Sequence, residues 1–170
     1  MFSRLRTKVI YEIGVRGFAT IPEHLRIVQG KGDYNCMVAS AATAFNVKSK
    51  AKIYDLPKMK THFDSTLLVG DSNGSGYDNR NFKCVSEKLG YPVNYWGYNS
   101  KNLQEEKLKE ALPLGNFMIT LRFNTQAHSC LLCEIDKYGQ YLVYDPAHGM
   151  VLTYQRSEFW KLCEGIDYLI

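Results

Sequence analysis

Five cysteines occur in the chain, and the surroundings of one set it apart. Cys36 stands where a polar turn containing Gly32, Asp33 and Asn35 meets an apolar, alanine-rich run from Val38 to Phe45. Alanine is the strongest helix former, so this pattern predicts a helix opening at Cys36 and running to about Val47. A thiol at a helix N-terminus sits in the positive end of the helix dipole. That field favours thiolate over thiol and makes the sulfur a nucleophile near neutral pH.

Thiol-based acyl chemistry also needs a base, a group that orients the base, and donors for the developing oxyanion. The stretch HSCLLCEIDKYGQYLVYDPAHG supplies the first two as His128 and Asp145. Residues 128–136 and 140–146 are strand-like and flank the turn Lys137-Tyr138-Gly139, which is a hairpin by composition. In an antiparallel hairpin the start of the first strand lies beside the end of the second. His128 and Asp145 are therefore expected as neighbours at one edge of the sheet. Asp145 accepts a hydrogen bond from one ring nitrogen and leaves the other facing Cys36. Pro146 stiffens the chain as it leaves this position. Gln29 precedes Cys36 by seven residues. Its amide, with the backbone N–H of Cys36, is the candidate oxyanion donor.

A cysteine taken alone is most often a small hydrophobe in a core. The combination with His128 and Asp145 is what selects Cys36. Cys130 and Cys133, with His128 close by, give half of a zinc-binding spacing. Side chains alternate along a strand, however, so residues three apart point to opposite faces, and no second pair completes four ligands. Both are expected in the sheet core, and Cys84 in the core face of its helix. No metal and no cofactor are expected. His24, His62 and His148 lack such context and are assigned to surface or loops.

The elements that must position these residues follow from the rest of the chain. At 170 residues, with 45% hydrophobic and 13% aromatic content, it is long and apolar enough for one domain with a substantial core. We assign residues 19–170 to that domain. The net charge of +4 is spread among acids rather than gathered in a patch, which excludes a nucleic-acid binder. An odd cysteine count without a regular framework argues against a disulfide-stapled secreted domain and for a reducing compartment, the cytoplasm. No apolar run approaches the length of a membrane span. Residues 1–18 form a basic segment with Glu12 as its only acid. They suit a surface element, with a mitochondrial targeting sequence as the minor alternative.

Along the chain, Leu25 to Val28 suggests a short strand leading to Gln29. Residues 48–79 are polar and punctuated by Pro57, with a Gly- and Asn-rich loop from Gly70 to Asn79. Amphipathic helices are expected over 79–90 and from Leu103 to Leu112, the second with Leu103, Leu108, Ala111 and Leu112 facing the core. A short strand falls in YPVNYWGY. Strands over 116–123, 128–136 and 140–146 follow, then a last short strand and a helix capped by Ser157 and anchored by Phe159 and Trp160. The expected class is α+β, with a helical N-terminal half packed on a C-terminal antiparallel sheet.

This order resembles that of the papain-like cysteine peptidases: a glutamine, a cysteine opening a helix, a histidine opening a strand and an Asp-Pro closing the next. It is closest to the bacteriocin-processing branch, whose members remove double-glycine leader peptides. The resemblance runs from about Ile27 to Trp160. It rests on Gln29 with Cys36, on His128 followed by an apolar strand, on Tyr144-Asp145-Pro146-Ala147 and on Ser157-Glu158-Phe159-Trp160. Asn35-Cys36-Met37 stands where that branch has Asp-Cys-Gly, and the spacing from Gln29 to Cys36 is about a residue longer. The resemblance implies a papain-like fold, a Cys36-His128-Asp145 triad, Gln29 at the oxyanion hole and a peptide or protein substrate. Peptide hydrolysis is the expected activity. Acyl transfer, deamidation or transglutamination by the same triad, or an inactive peptide-binding shell, are the alternatives.

Overall fold

Alanine-rich sequence with apolar residues on every side has one stable place in a globular protein, which is the middle of a core. The first long helix, α1 (Cys36–Ser49), occupies that place, and every residue from Met37 to Asn46 is buried. A computed structural model describes residues 21–30, 34–67, 76–97 and 101–170 of the chain. Lys50 ends α1 in the left-handed conformation at φ 56°. The buried Asn46 side chain accepts from the N–H groups of Ile53 and Tyr54 and donates to the Tyr54 carbonyl, so it closes the turn after the helix on itself.

Helix α2 (Leu56–Asp64) is capped by the Asp55 carboxylate, which accepts from the Lys58 N–H at 2.8 Å. Helix α3 (Asn79–Leu89) begins in a capping box between Asp78 and Asn81 and ends at Gly90, φ 76°. Strand β1 (Asn94–Tyr95) and helix α4 (Lys101–Ala111) follow. Five longer strands complete the chain: β2 (Phe117–Phe123), β3 (Gln126–Ile135), β4 (Tyr141–Asp145), β5 (Met150–Tyr154) and, after helix α5 (Arg156–Leu162), β6 (Cys163–Leu169).

All pairings are antiparallel, and the order across the sheet is β1-β6-β2-β3-β4-β5. The sheet separates two apolar layers. On one face α1, α2 and α3 pack through Phe45, Phe63 and Phe82 onto Met118, Leu131 and Tyr144. On the other, Leu108 of α4 and Phe159 and Trp160 of α5 cover Phe117, Ile119 and Tyr141. There the Trp160 indole N–H reaches the Tyr141 hydroxyl at 3.0 Å. The architecture is α+β, as expected.

Several elements differ from expectation. Glu23–Leu25 forms a 3-10 turn, and the chain from Arg26 to Gly30 has no strand ladder. The Ile27 N–H bonds instead to the Thr43 hydroxyl of α1. Helix α2 lies inside the segment expected to be irregular, so three helices rather than two accompany α1 before β2. Strand β6 was not foreseen, yet it lies inside the sheet between β1 and β2. Gln155, not Ser157, is the N-cap position of α5. Cys84 is exposed, because α3 buries Phe82, Val85 and Ser86 instead. Segment 1–18, most of the loop from Gly70 to Asn79, and the Leu103 side chain lie outside the described residues.

Candidate active site

Helix α1 meets the sheet at β3. The Ser40 hydroxyl, one turn beyond Cys36, donates to the Ser129 carbonyl at 3.1 Å. Ser129 follows His128, so this bond ties the helix bearing the cysteine to the strand bearing the histidine. Leu131 of β3 pairs with Tyr144 of β4, which brings Asp145 alongside the first residues of β3. The outcome is a hydrogen bond of 2.6 Å between His128 Nε2 and Asp145 Oδ1. Asp145 Oδ1 also accepts from the Ala147 N–H, and the Asp145 carbonyl accepts from Gly149 N–H, both at 2.9 Å. Gly149 takes φ 64° to make this turn. The carboxylate is thus fixed by the chain that leaves it.

Cys36 is half-buried at the first position of α1. The Asn35 side chain does not cap the helix, so the first-turn N–H groups stay available for a charge at the sulfur. Burial pushes the thiol up. The His128 ring and the backbone N–H groups of Ser129 and Met37 outweigh it, and the Cys36 thiol lies below its ordinary 9.0. For His128, burial opposes the imidazolium, but Asp145, Cys130 and Cys36 overcome it and push its pKa up to about 12. Asp145 is likewise opposed by burial and held below the usual carboxylate range by His128. Each group in the row Cys36, His128, Asp145 favours the charged form of the next.

Gln29 is held from two sides. Its N–H donates to the Pro146 carbonyl at 2.9 Å, immediately after Asp145. Two residues earlier, the Ile27 carbonyl accepts from the Tyr144 hydroxyl at 2.6 Å. The Gln29 side chain lines a cavity of about 310 Å³ together with His128 and Asp145. Among the described residues its carboxamide oxygen is buried and has no hydrogen-bond partner.

Cys130 belongs to this cluster as well, beside its place in the sheet core. It is two residues beyond His128 and therefore on the same face of β3, a relation that strand alternation alone contains. His128, Cys130 and Asp145 offer donor atoms all within 4.8 Å of one another. Burial pushes the Cys130 thiol up to about 11, away from the thiolate that a metal requires. Cys133 packs in the opposite layer, with Met118 and Leu131. His148, placed in a loop from sequence, lines the same cavity as His128.

The chain superposes on the peptidase domain of Streptococcus ComA, described as a bi-functional ABC transporter involved in a quorum-sensing pathway. The match covers 86% of this chain and 97% of that domain, with a TM-score of 0.62 and 14% sequence identity. The fold is that of a papain-like cysteine peptidase domain. No family model and no curated protein matches the sequence. The fold expected from the motifs is thus found at a sequence identity of only 14%.

Proposed function

We propose that the protein is a cysteine peptidase that hydrolyses a peptide bond through a thioester acyl-enzyme. The observation that supports this reading is the 2.6 Å bond between His128 Nε2 and Asp145 Oδ1, on a ring whose proximity lowers the Cys36 thiol at the opening of α1.

In the proposed reaction the Cys36 thiolate attacks the scissile carbonyl while its proton resides on His128. The Cys36 N–H at the start of α1 and the Gln29 amide stabilise the oxyanion. Collapse breaks the C–N bond, and the leaving amine takes the proton from His128. Water then attacks the thioester. His128 accepts the water proton and keeps it as Cys36 departs as the thiolate, which restores the starting pair. Asp145 keeps the ring oriented and its charge compensated throughout. The substrate is a peptide or protein. Among the described residues no helix is long and apolar enough to cross a membrane. The odd cysteine count without a regular framework supports a reducing compartment, for which we propose the cytoplasm.

The test is a quenched-fluorescent peptide library against the wild-type protein and the variants Cys36→Ala and His128→Ala, with mass spectrometry for the acyl-enzyme. Cleavage by wild type alone, with acyl mass on the Cys36 peptide, is expected. Cleavage that survives Cys36→Ala overturns the proposal.

A further inference from the structure

Asp167 is a buried acid that the triad does not use. A fault in the sheet makes its place. Ile166 of β6 pairs with Ile119 of β2 and Tyr168 pairs with Met118, so Asp167 is the extra residue of a β-bulge. A bulge re-aims a side chain out of the alternation of its strand. Gly165 leaves the room, since a Cβ there would lie 2.7 Å from Asp167 Oδ1.

The carboxylate has two partners. Its Oδ2 accepts from the Thr120 hydroxyl of β2 at 2.8 Å, and its Oδ1 accepts from Nδ2 of Asn79, the first residue of α3, at 3.1 Å. Both partners line one cavity of about 230 Å³, and Cys36 lines it too. Resting on the cysteine peptidase reading, we infer that Asp167 is a positioning residue. It turns Thr120 and Asn79 so that they accept peptide N–H groups from the acyl side of the substrate.

The polarity follows from where the protons are. An ionised carboxylate only accepts. Asp167 therefore takes the single Thr120 hydroxyl proton and the NH₂ end of the Asn79 amide. The Thr120 lone pairs and Asn79 Oδ1 are left over, and among the described residues no donor reaches either oxygen. Burial pushes the Asp167 carboxyl above its ordinary value, and both donors oppose that push. The charged lining residue, Asp78, is engaged by the Arg80 side chain and by the N–H groups of Arg80 and Asn81. The Tyr77 hydroxyl is taken by Asp64 and Lys60. The Tyr34 and Ser129 hydroxyls also line the cavity, and each serves as donor or acceptor. As the Cys36 sulfur–carbon bond forms and the C–N bond breaks, the acyl part stays on Cys36. The chain leading to the reacting carbonyl is thus the part of the substrate whose N–H groups meet this wall.

Asp167→Asn tests the assignment. The variant keeps the size of the side chain but brings an NH₂ group, so one of the two partners must accept rather than donate. The wall then offers a donor where the substrate has an N–H. From a panel of acetyl-dipeptide p-nitrophenyl esters, the best-accepted one is compared with its two counterparts N-methylated at one peptide nitrogen. On the parent ester, Asp167→Asn is expected to lower kcat/KM roughly 3–10-fold, the effect of one hydrogen bond, and to do so through KM rather than kcat. On the counterpart lacking the recognised N–H, the same substitution should change kcat/KM less than about twofold. Thr120→Val removes one acceptor without changing shape and should discriminate in the same way, so it decides the matter should Asp167→Asn not fold. Urea unfolding and Cys36 alkylation verify the folded state of each variant. Equal loss on all three esters, or loss on none, overturns the inference and leaves the peptidase reading intact. Failure of every ester of the panel to acylate Cys36 overturns both.

Discussion

The Ser40 hydroxyl and the Ser129 carbonyl, 3.1 Å apart, join the two halves of the molecule one turn below the candidate nucleophile. Ser40 is fully buried. Removing its hydroxyl in Ser40→Ala is expected to cost about 1 kcal/mol of stability. It should also slow Cys36 alkylation near neutral pH, because the helix is no longer pinned against the start of β3. Urea unfolding and iodoacetamide kinetics check the two effects. An unchanged alkylation rate in a destabilised variant would show that the bond serves the fold alone.

Cys36 is expected to react as a thiolate below the pH at which free cysteine does. Its thiol is lowered and His128 is raised to about 12, so the thiolate–imidazolium pair is present between those two values. The alkylation rate should rise through the lowered value and then stay level well past neutrality. In His128→Ala the rise should move towards the ordinary thiol range, near pH ~8.5. Peptide mapping of the label separates Cys36 from the exposed Cys84. A rise that stays in place in His128→Ala argues against the ion pair.

Asp145 contributes to stability with a defined sign. Its folded-state pKa is depressed, so its contribution is present above the unfolded value of about 3.9 and fades as pH falls through the lower folded value. His128 is raised, so its contribution is full below about 6.5 and fades as pH rises towards 12. The stability difference between wild type and Asp145→Asn should therefore be largest between about pH 4 and 6.5. It should shrink on the acid side. Denaturant midpoints across that range provide the check, and a difference that grows below about pH 4 contradicts the assignment.

Gln29→Ala is expected to lower kcat by about 10²–10³-fold, the usual effect of losing one oxyanion donor. Alkylation of Cys36 should be unchanged, since the small reagent builds no tetrahedral oxyanion. Parallel loss of both rates would instead mark Gln29 as a support for the thiolate.

Gly115 tests the sheet rather than the site. A Cβ there would lie 2.0 Å from the Ile170 carbonyl oxygen, and backbone cannot rotate away as a side chain can. Gly115→Ala is expected to destabilise the protein by at least about 1–3 kcal/mol. A thermal melt equal to wild type would contradict the close approach of the two segments.

Sequence was most informative where a single short-range rule applied. The neighbourhood of His128 and Asp145 needs only an antiparallel hairpin and a turn at Lys137-Tyr138-Gly139, and both lie within one continuous stretch. Helix α2 escaped because Pro57 suggests interruption, although proline in the first turn starts helices well and Asp55 caps this one. Strand β6 escaped for the opposite reason. Gly165 and Asp167 break its apolar pattern, and they are tolerated because Asp167 accepts from Thr120 and Asn79 at long range. The Leu25 to Val28 run has strand composition, but the Ile27 N–H goes to Thr43 and the Ile27 carbonyl to Tyr144, partners no local pattern can name. Cys130 was visible as a neighbour of His128 by alternation, but its burial made a core assignment equally consistent.

The position of β6 also bears on how the protein is made. This strand follows Gln29, Cys36, His128 and Asp145 in the chain, yet it pairs with β2 inside the sheet. A growing polypeptide can assemble α1 and the β3–β4 hairpin early, from local contacts. The sheet beneath them stays open until residues up to Leu169 have emerged and inserted between β1 and β2. Such long-range pairing is slow. Synthesis therefore carries its own delay: Cys36 is translated well before the strand that closes the sheet behind its helix.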